Sequence, residues 1–208
     1  MEIGEISYGN AEAPALPKEA ERIEDLEFLP PKDRAVLYLV AHRQKPACYL
    51  YITVQTDPDD EAIDKNLRDN ADRLTAVLSE SGVLFAAKEI TDPDDPDIRH
   101  RDFYIGQDEA SLTALQEAAF RGKGHAAAFG RALGYPETAI AAYGNGRHAR
   151  PRANIPPDVR ASAAYQFCPF VPSPDYWREE LATVAKQAEF VRENNPQLYE
   201  QVMASRLK

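Results

Sequence analysis

The apolar run Ala35-Val36-Leu37-Tyr38-Leu39-Val40 and the run Cys48-Tyr49-Leu50-Tyr51-Ile52-Thr53-Val54 decide how this chain is read. Both are rich in β-branched and aromatic residues, the types that suit a pleated surface. The link His42-Arg43-Gln44-Lys45-Pro46 is short enough for a hairpin, so the two runs are expected to be the first two strands. A helical pattern follows, with Ile63, Leu67, Ala71, Leu74, Val77 and Leu78 on one face, closed by Ser81-Gly82. Val83-Leu84-Phe85-Ala86-Ala87 and Asp102-Phe103-Tyr104-Ile105 supply two more strand candidates.

The chain turns helical after residue 107. Asp108 caps a helix running to about Phe120. A second helix spans Gly124 to Leu133 and stops at Gly134; Pro136 opens a third that ends at Gly144-Asn145-Gly146. Residues 147–172 read as irregular. Ser173-Pro174-Asp175 starts a helix whose apolar stripe is Trp177, Leu181, Val184, Ala188 and Val191, a heptad-like 4-3-4-3 spacing. Pro196 begins a last short helix. The fold class is therefore α+β: a small mixed β-sheet of about four strands with one long crossover helix, followed by a mostly helical C-terminal half. Residues 1–33, acidic and punctuated by Pro14, Pro17, Pro30 and Pro31, read as an N-terminal arm with at most a short helix. Residues 34–208 read as a single α/β domain.

The 208 residues carry 24 Lys and Arg against 34 Asp and Glu, a net charge of −10. That balance argues against a nucleic-acid binder, which needs a broad cationic face. No apolar run approaches the roughly 18–20 residues that cross a bilayer. No secretory signal stands at Met1. Two cysteines, Cys48 and Cys168, are too few for a disulfide framework and fit a reducing cytoplasm. The charge is unevenly spread. Residues 57–98 carry 4 basic and 13 acidic side chains, whereas residues 99–152 carry 8 and 5, together with three of the four histidines. A cationic middle in an acidic protein would draw an anionic ligand.

That middle holds the site candidates. Arg121-Gly122-Lys123-Gly124-His125 precedes a helix, so glycines, cations and free helix N–H groups coincide, a chemistry suited to carboxylate or phosphate. It is not a Walker A loop. Arg147, His148, Arg150 and Arg152 form a second cluster, and the short helix pair between them could close the two into a clamp. His125 is the best acid/base candidate there. The same cations can equally be solvated residues balancing an acidic protein.

Other features carry less. Thr56-Asp57-Pro58-Asp59-Asp60 recurs as Thr91-Asp92-Pro93-Asp94-Asp95, each at a strand end. Hard oxygens converging at 57–60 and 92–95 could hold a cation, but Asp and Pro also start turns for purely local reasons. His100-Arg101-Asp102 spells a kinase tripeptide with none of its companions, an accidental match. His42, in the link, is expected to be exposed. Cys168 between Phe167 and Phe170 reads as a buried small hydrophobe. No metal set and no cofactor is indicated by His and Cys spacing.

Gly130-Arg131-Ala132-Leu133-Gly134-Tyr135-Pro136-Glu137, with Val171-Pro172-Ser173-Pro174-Asp175 downstream, resembles an uncharacterised prokaryotic family over about residues 120–205. The family has a Leu-Gly-Tyr-Pro segment and a Pro-rich stretch, each with cysteines that look like a metal or iron–sulfur site. Here Thr138 and Ala139 stand at the first positions, and Pro172 and Tyr176 at the second. The resemblance thus implies a lost metal site and carries no activity over. Three functional readings follow: binding of, or action on, a small anionic ligand; a non-catalytic interaction module, homodimerising through the Trp177–Val191 stripe; and a degenerate member of that metal-binding family.

Overall fold

The computed structural model describes residues 23, 26–56, 61–92, 94–95, 97–120, 125–144 and 155–205. They form an α+β fold of nine helices and one three-stranded sheet. The chain order is α1 (Pro31–Ala41), β1 (Ala47–Gln55), α2 (Glu61–Glu80), β2 (Leu84–Thr91), β3 (Arg99–Gly106) and α3 (Glu109–Phe120). Then come α4 (Ala126–Ala132), α5 (Glu137–Gly144), α6 (Pro157–Ala161), α7 (Ala163–Phe167), α8 (Trp177–Asn194) and α9 (Pro196–Ala204).

The expected first strand is a helix. Pro30 holds an extended ψ of 143° and Pro31 opens α1, with Asp33 in its first turn. Leu37, Tyr38, Leu39 and Val40 are all buried, so the run is apolar on every side. A short run of that kind fits a buried helix as well as a buried strand. Packing decides between them: α1 lies among β1, α7, α8 and α9. The expected hairpin link is the exit of this helix, turned by Arg43 at φ +58°. The end of the expected N-terminal arm also belongs to the core, where Ile23, Leu26 and Leu29 are buried. Residues 1–22 lie outside the described residues.

The sheet is antiparallel rather than mixed, in the order β1-β3-β2. The long helix α2 is a crossover as expected, but β1 and β2 do not touch, because β3 runs between them. Gln55 and Thr91 both pair with Arg99, so the ends of β1 and β2 lie at one end of the sheet. The predicted stripe of α2 is buried from Ala71 onward, while Ile63 is exposed.

Alternation along the strands separates two faces. Cys48, Leu50, Ile52, Phe103 and Ile105 join the main core with Leu74 and Leu78 of α2. Ala47, Ala86 and Tyr104 pack on the other face against Leu112 and Leu115 of α3 and Leu133 after α4. Asp108 caps α3 as expected, its Oδ1 accepting from the Ser111 N–H at 2.7 Å. Gly134 ends α4 in the left-handed region at φ +73°. Within the stretch expected to be irregular, residues 157–167 form the short helices α6 and α7.

The C-terminal stripe exists where predicted, but its destination differs. Trp177, Leu181, Val184, Ala188 and Val191 are all buried within this chain, since α8 packs on α7, α9 and α1. They are therefore not available as a homodimer seam. No described helix is long and apolar enough to cross a membrane.

Candidate functional site

Of the predicted site residues, Arg121, Lys123, Arg147, His148, Arg150 and Arg152 lie outside the described residues. His125 is described. It holds the N-cap position of α4, where its carbonyl accepts from the Phe129 N–H at 2.9 Å and its side chain makes no cap. The described residues therefore assemble no clamp from the two clusters.

They assemble a different site, along the free edge of β1. A hollow of about 240 Å³ lies between α1, β1 and the end of α4. α1 presents Lys32 and Asp33, β1 and the residues before it present Lys45, Cys48 and Tyr49, and Tyr135 closes the far side. Lys45 is only 4% exposed. Its Nζ donates to the carbonyl of Leu133, the C-cap residue of α4, and lies 5.0 Å from the centre of the Tyr135 ring. The last carbonyls of a helix lack intrahelical partners, so an ammonium there is well placed. Burial nevertheless lowers the Lys45 pKa to about 8, because taking an ammonium out of water costs more than these contacts return. Burial lowers Lys32 as well, against the opposing pull of nearby acidic groups.

Gly134 makes the arrangement possible. Its φ favours glycine, and a Cβ at this position would stand 2.7 Å from Cγ of Pro46. The end of α4 can therefore settle directly onto the Lys45-Pro46 segment. Tyr135 then reaches the strap between α7 and α8, its hydroxyl donating to the Pro169 carbonyl at 3.1 Å. Burial raises this phenol to about 12, so it remains a donor at neutral pH.

Two more hollows meet at the strap. One, of about 310 Å³, is apolar and lies between α4, α5 and the strap, lined by Gly130, Ile140, Tyr143, Phe170 and Val171 among others. It shares Phe129, Leu133, Tyr135 and Pro169 with the lysine-bearing hollow. Another, of about 280 Å³, lies behind the strap and is bordered by Lys32 and Cys168. The strap is pinned at its far end by Glu180 on α8, which is buried. Glu180 accepts from the Ser173 N–H at 2.7 Å and from the Thr138 hydroxyl at 2.5 Å.

Those two bonds join the stretches in which the resembled family carries cysteines. The residues here do not fit a metal or cluster: Thr138, Ala139, Pro172 and Tyr176 offer no thiolate. Among the described residues no group of three His, Cys, Asp or Glu side chains is placed to hold a metal. Cys168 donates its S–H to the Phe170 carbonyl, and burial raises its thiol to about 11. Cys48 is raised to about 12 for the same reason. Both are inert small hydrophobes at neutral pH.

The acidic turn at 92–95 is used locally. Asp92 accepts from the Asp94 and Asp95 N–H groups at 2.8 and 3.2 Å, and these bonds hold its carboxyl below the ordinary range. Residues 57–60 lie outside the described residues. The kinase-like tripeptide is a piece of β3, with His100, Asp102 and Tyr104 alternating onto one face. His100 Nε2 stands 3.2 Å from Asp92 and Nδ1 3.2 Å from Thr53 Oγ1, so both ring nitrogens are occupied. Asp102, raised by burial, lies under the Tyr49 and Tyr104 hydroxyls. This network fastens the strands and leaves no free base. His42, expected to be exposed, is half-buried against Tyr38 and Phe190, with ring centres at 4.2 and 5.7 Å.

Sequence reasoning missed Lys45 as a site residue because its partner Leu133 is 88 positions away. The one local signal was a lysine set directly before Pro46 and a wholly apolar strand start, a place where its head group has little room to reach water. Compared with family models, curated proteins and solved structures, the chain matches none.

Proposed function

We propose that the protein binds a small anionic ligand, carboxylate- or phosphate-bearing, in the hollow beside β1, with Lys32 and Lys45 as its cationic partners. One observation carries this reading: two lysines, Lys45 buried and Lys32 half-buried, border the same hollow, against the single carboxylate of Asp33. A buried ammonium without a full counter-ion is costly, and an anion entering the hollow would offset that cost. β1 is an edge strand, so one row of its backbone N–H groups is free of β3 and adds donors on the same side.

Arg121, Lys123, Arg147, His148, Arg150 and Arg152 enter the proposal as the field that guides the anion. In sequence they flank α4 and α5, the helices that wall the apolar hollow. Clustered cations of this kind raise the association rate and its salt dependence. His125, at the start of α4, is the acid/base candidate should the bound anion react. No reaction is assigned.

Calorimetric titration with propionate and with inorganic phosphate tests the reading. Lys45→Met and Lys32→Met should each weaken the anion that binds by tenfold or more. Lys123→Ala and Arg150→Ala should each weaken the same anion at low salt, to a smaller extent. Binding unchanged in both lysine variants would remove the proposal.

A further inference from the structure

Resting on that reading of the hollow beside β1, we infer that the ligand is amphipathic: a monocarboxylate whose head meets Lys32 and Lys45 and whose alkyl or aryl tail fills the apolar hollow between α4, α5 and the 168–172 strap.

The argument starts from the wall between the two hollows. Phe129, Leu133, Tyr135 and Pro169 border both, so the charged space and the apolar space adjoin. They differ in the charged side chains at their borders. Two lysines and an aspartate border the first, whereas the described lining of the second is made of Ala, Gly, Leu, Ile, Pro, Val and aromatic residues. A charged end beside an apolar end is the complement of a molecule with one anionic group and a hydrocarbon body.

The surface at the apolar hollow agrees. Among the described residues five large hydrophobic side chains are exposed, and two of them, Tyr143 at 52% and Val171 at 44%, line this hollow. Apolar side chains gathered at the mouth of an apolar space favour entry of hydrocarbon, which removes their surface from water. Lys45, at 4%, lies deep in the adjoining hollow. The carboxylate therefore sits at Lys45, and the outer end of the tail lies under Tyr143 and Val171.

Two contacts of Tyr135 hold the joint between the hollows. The Tyr135 hydroxyl bonds Pro169 across the common wall at 3.1 Å, and the strap contains neither helix nor strand. Its far end is anchored by Glu180 through the Ser173 N–H. A tail passing between Tyr135 and Pro169 displaces that hydrogen bond and shifts the Tyr135–Phe170 ring contact, 5.2 Å between centres, while the anchor stays in place.

Calorimetry on the full chain separates the parts of this inference, with octanoate, propionate and octanol as probes. Octanoate should bind at least tenfold more tightly than propionate, and octanol at least tenfold more weakly than octanoate. Val171→Asn, a change at an exposed position, should weaken octanoate severalfold and leave propionate unchanged. Ala139→Leu, which fills the apolar hollow from α5, should do the same, with the melting temperature checked for both variants. If octanoate and propionate bind equally and both fail in Lys45→Met, the tail assignment is wrong and the anion reading stands. If octanol binds as tightly as octanoate, the anionic head is wrong. If none of the three binds, the monocarboxylate is wrong; if inorganic phosphate fails as well, the anion reading falls with it.

Discussion

The sheet face under α2 and the free edge of β1 are finished in opposite ways. Under the second half of α2 the packing is closed: Ala71 and Leu74 are wholly buried in one core with Phe103 and Ile105. At the free edge of β1 a hollow of about 240 Å³ stays open, and beyond it two more, of about 280 and 310 Å³, flank the strap. The closed side buries hydrocarbon against hydrocarbon, the largest stabilising contribution available to the chain. The edge keeps a lysine out of water and leaves apolar walls apart, both unfavourable in the free protein. A fold that is well packed on one side and open with charged groups on the other has its stability and its recognition in different places.

Truncation should separate the two sides most clearly. Leu74→Ala should cost about 2–5 kcal/mol in denaturant unfolding, since it opens a cavity in closed packing. Leu133→Ala borders two existing hollows and should fall at or below the low end of that range, about 2 kcal/mol. Equal losses would break the comparison. Enlargement should reverse the ranking. Ala71→Leu should cost about 1–3 kcal/mol, whereas Ala139→Leu, facing the apolar hollow, should cost less than about 1 kcal/mol.

The lysine adds a pH signature. The Lys45 pKa is about 8 in the folded chain against an ordinary 10.5, so the unfolded chain binds more protons between those values. Stability from this group therefore rises with pH from about 8 to 10.5 and is lowest below 8. Wild type should gain stability relative to Lys45→Met across that window by up to roughly 3 kcal/mol, read from unfolding midpoints at pH 7.5 and 10.5. A flat difference would mean that the amine reaches water. The smallest effect belongs to Tyr135→Phe, which removes the bond to Pro169 and should cost about 1 kcal/mol.

The same contrast explains what could be read from sequence. α3, α5 and α8 were legible because caps, Pro136 and a 4-3-4-3 stripe are local signals. The stripe showed that Trp177 to Val191 would be covered, but not that α1, α7 and α9 would cover them. α1 was misread because Ala35–Val40 is buried all round, which erases the 3.6-residue period, and because its exit turn places Arg43, not glycine, at positive φ. The site was hidden for another reason. Lys32, Lys45, Tyr135 and Pro169 come from four separate stretches, and only folding brings them to one hollow. The acidic repeat was visible, yet at Asp92 its chemistry goes into holding its own turn.

The central claim is that Lys45 waits, poorly solvated, for an anion. The most direct measurement follows its side-chain carbon next to the amine by NMR in protein labelled at lysine, with Lys45→Met giving the assignment. Lys45 should titrate near 8 in the free protein. With saturating octanoate the midpoint should move upward by about one unit or more, because a carboxylate at the ammonium favours its charged form. A midpoint near 10.5 in the free protein, or one that octanoate does not move, would contradict the account.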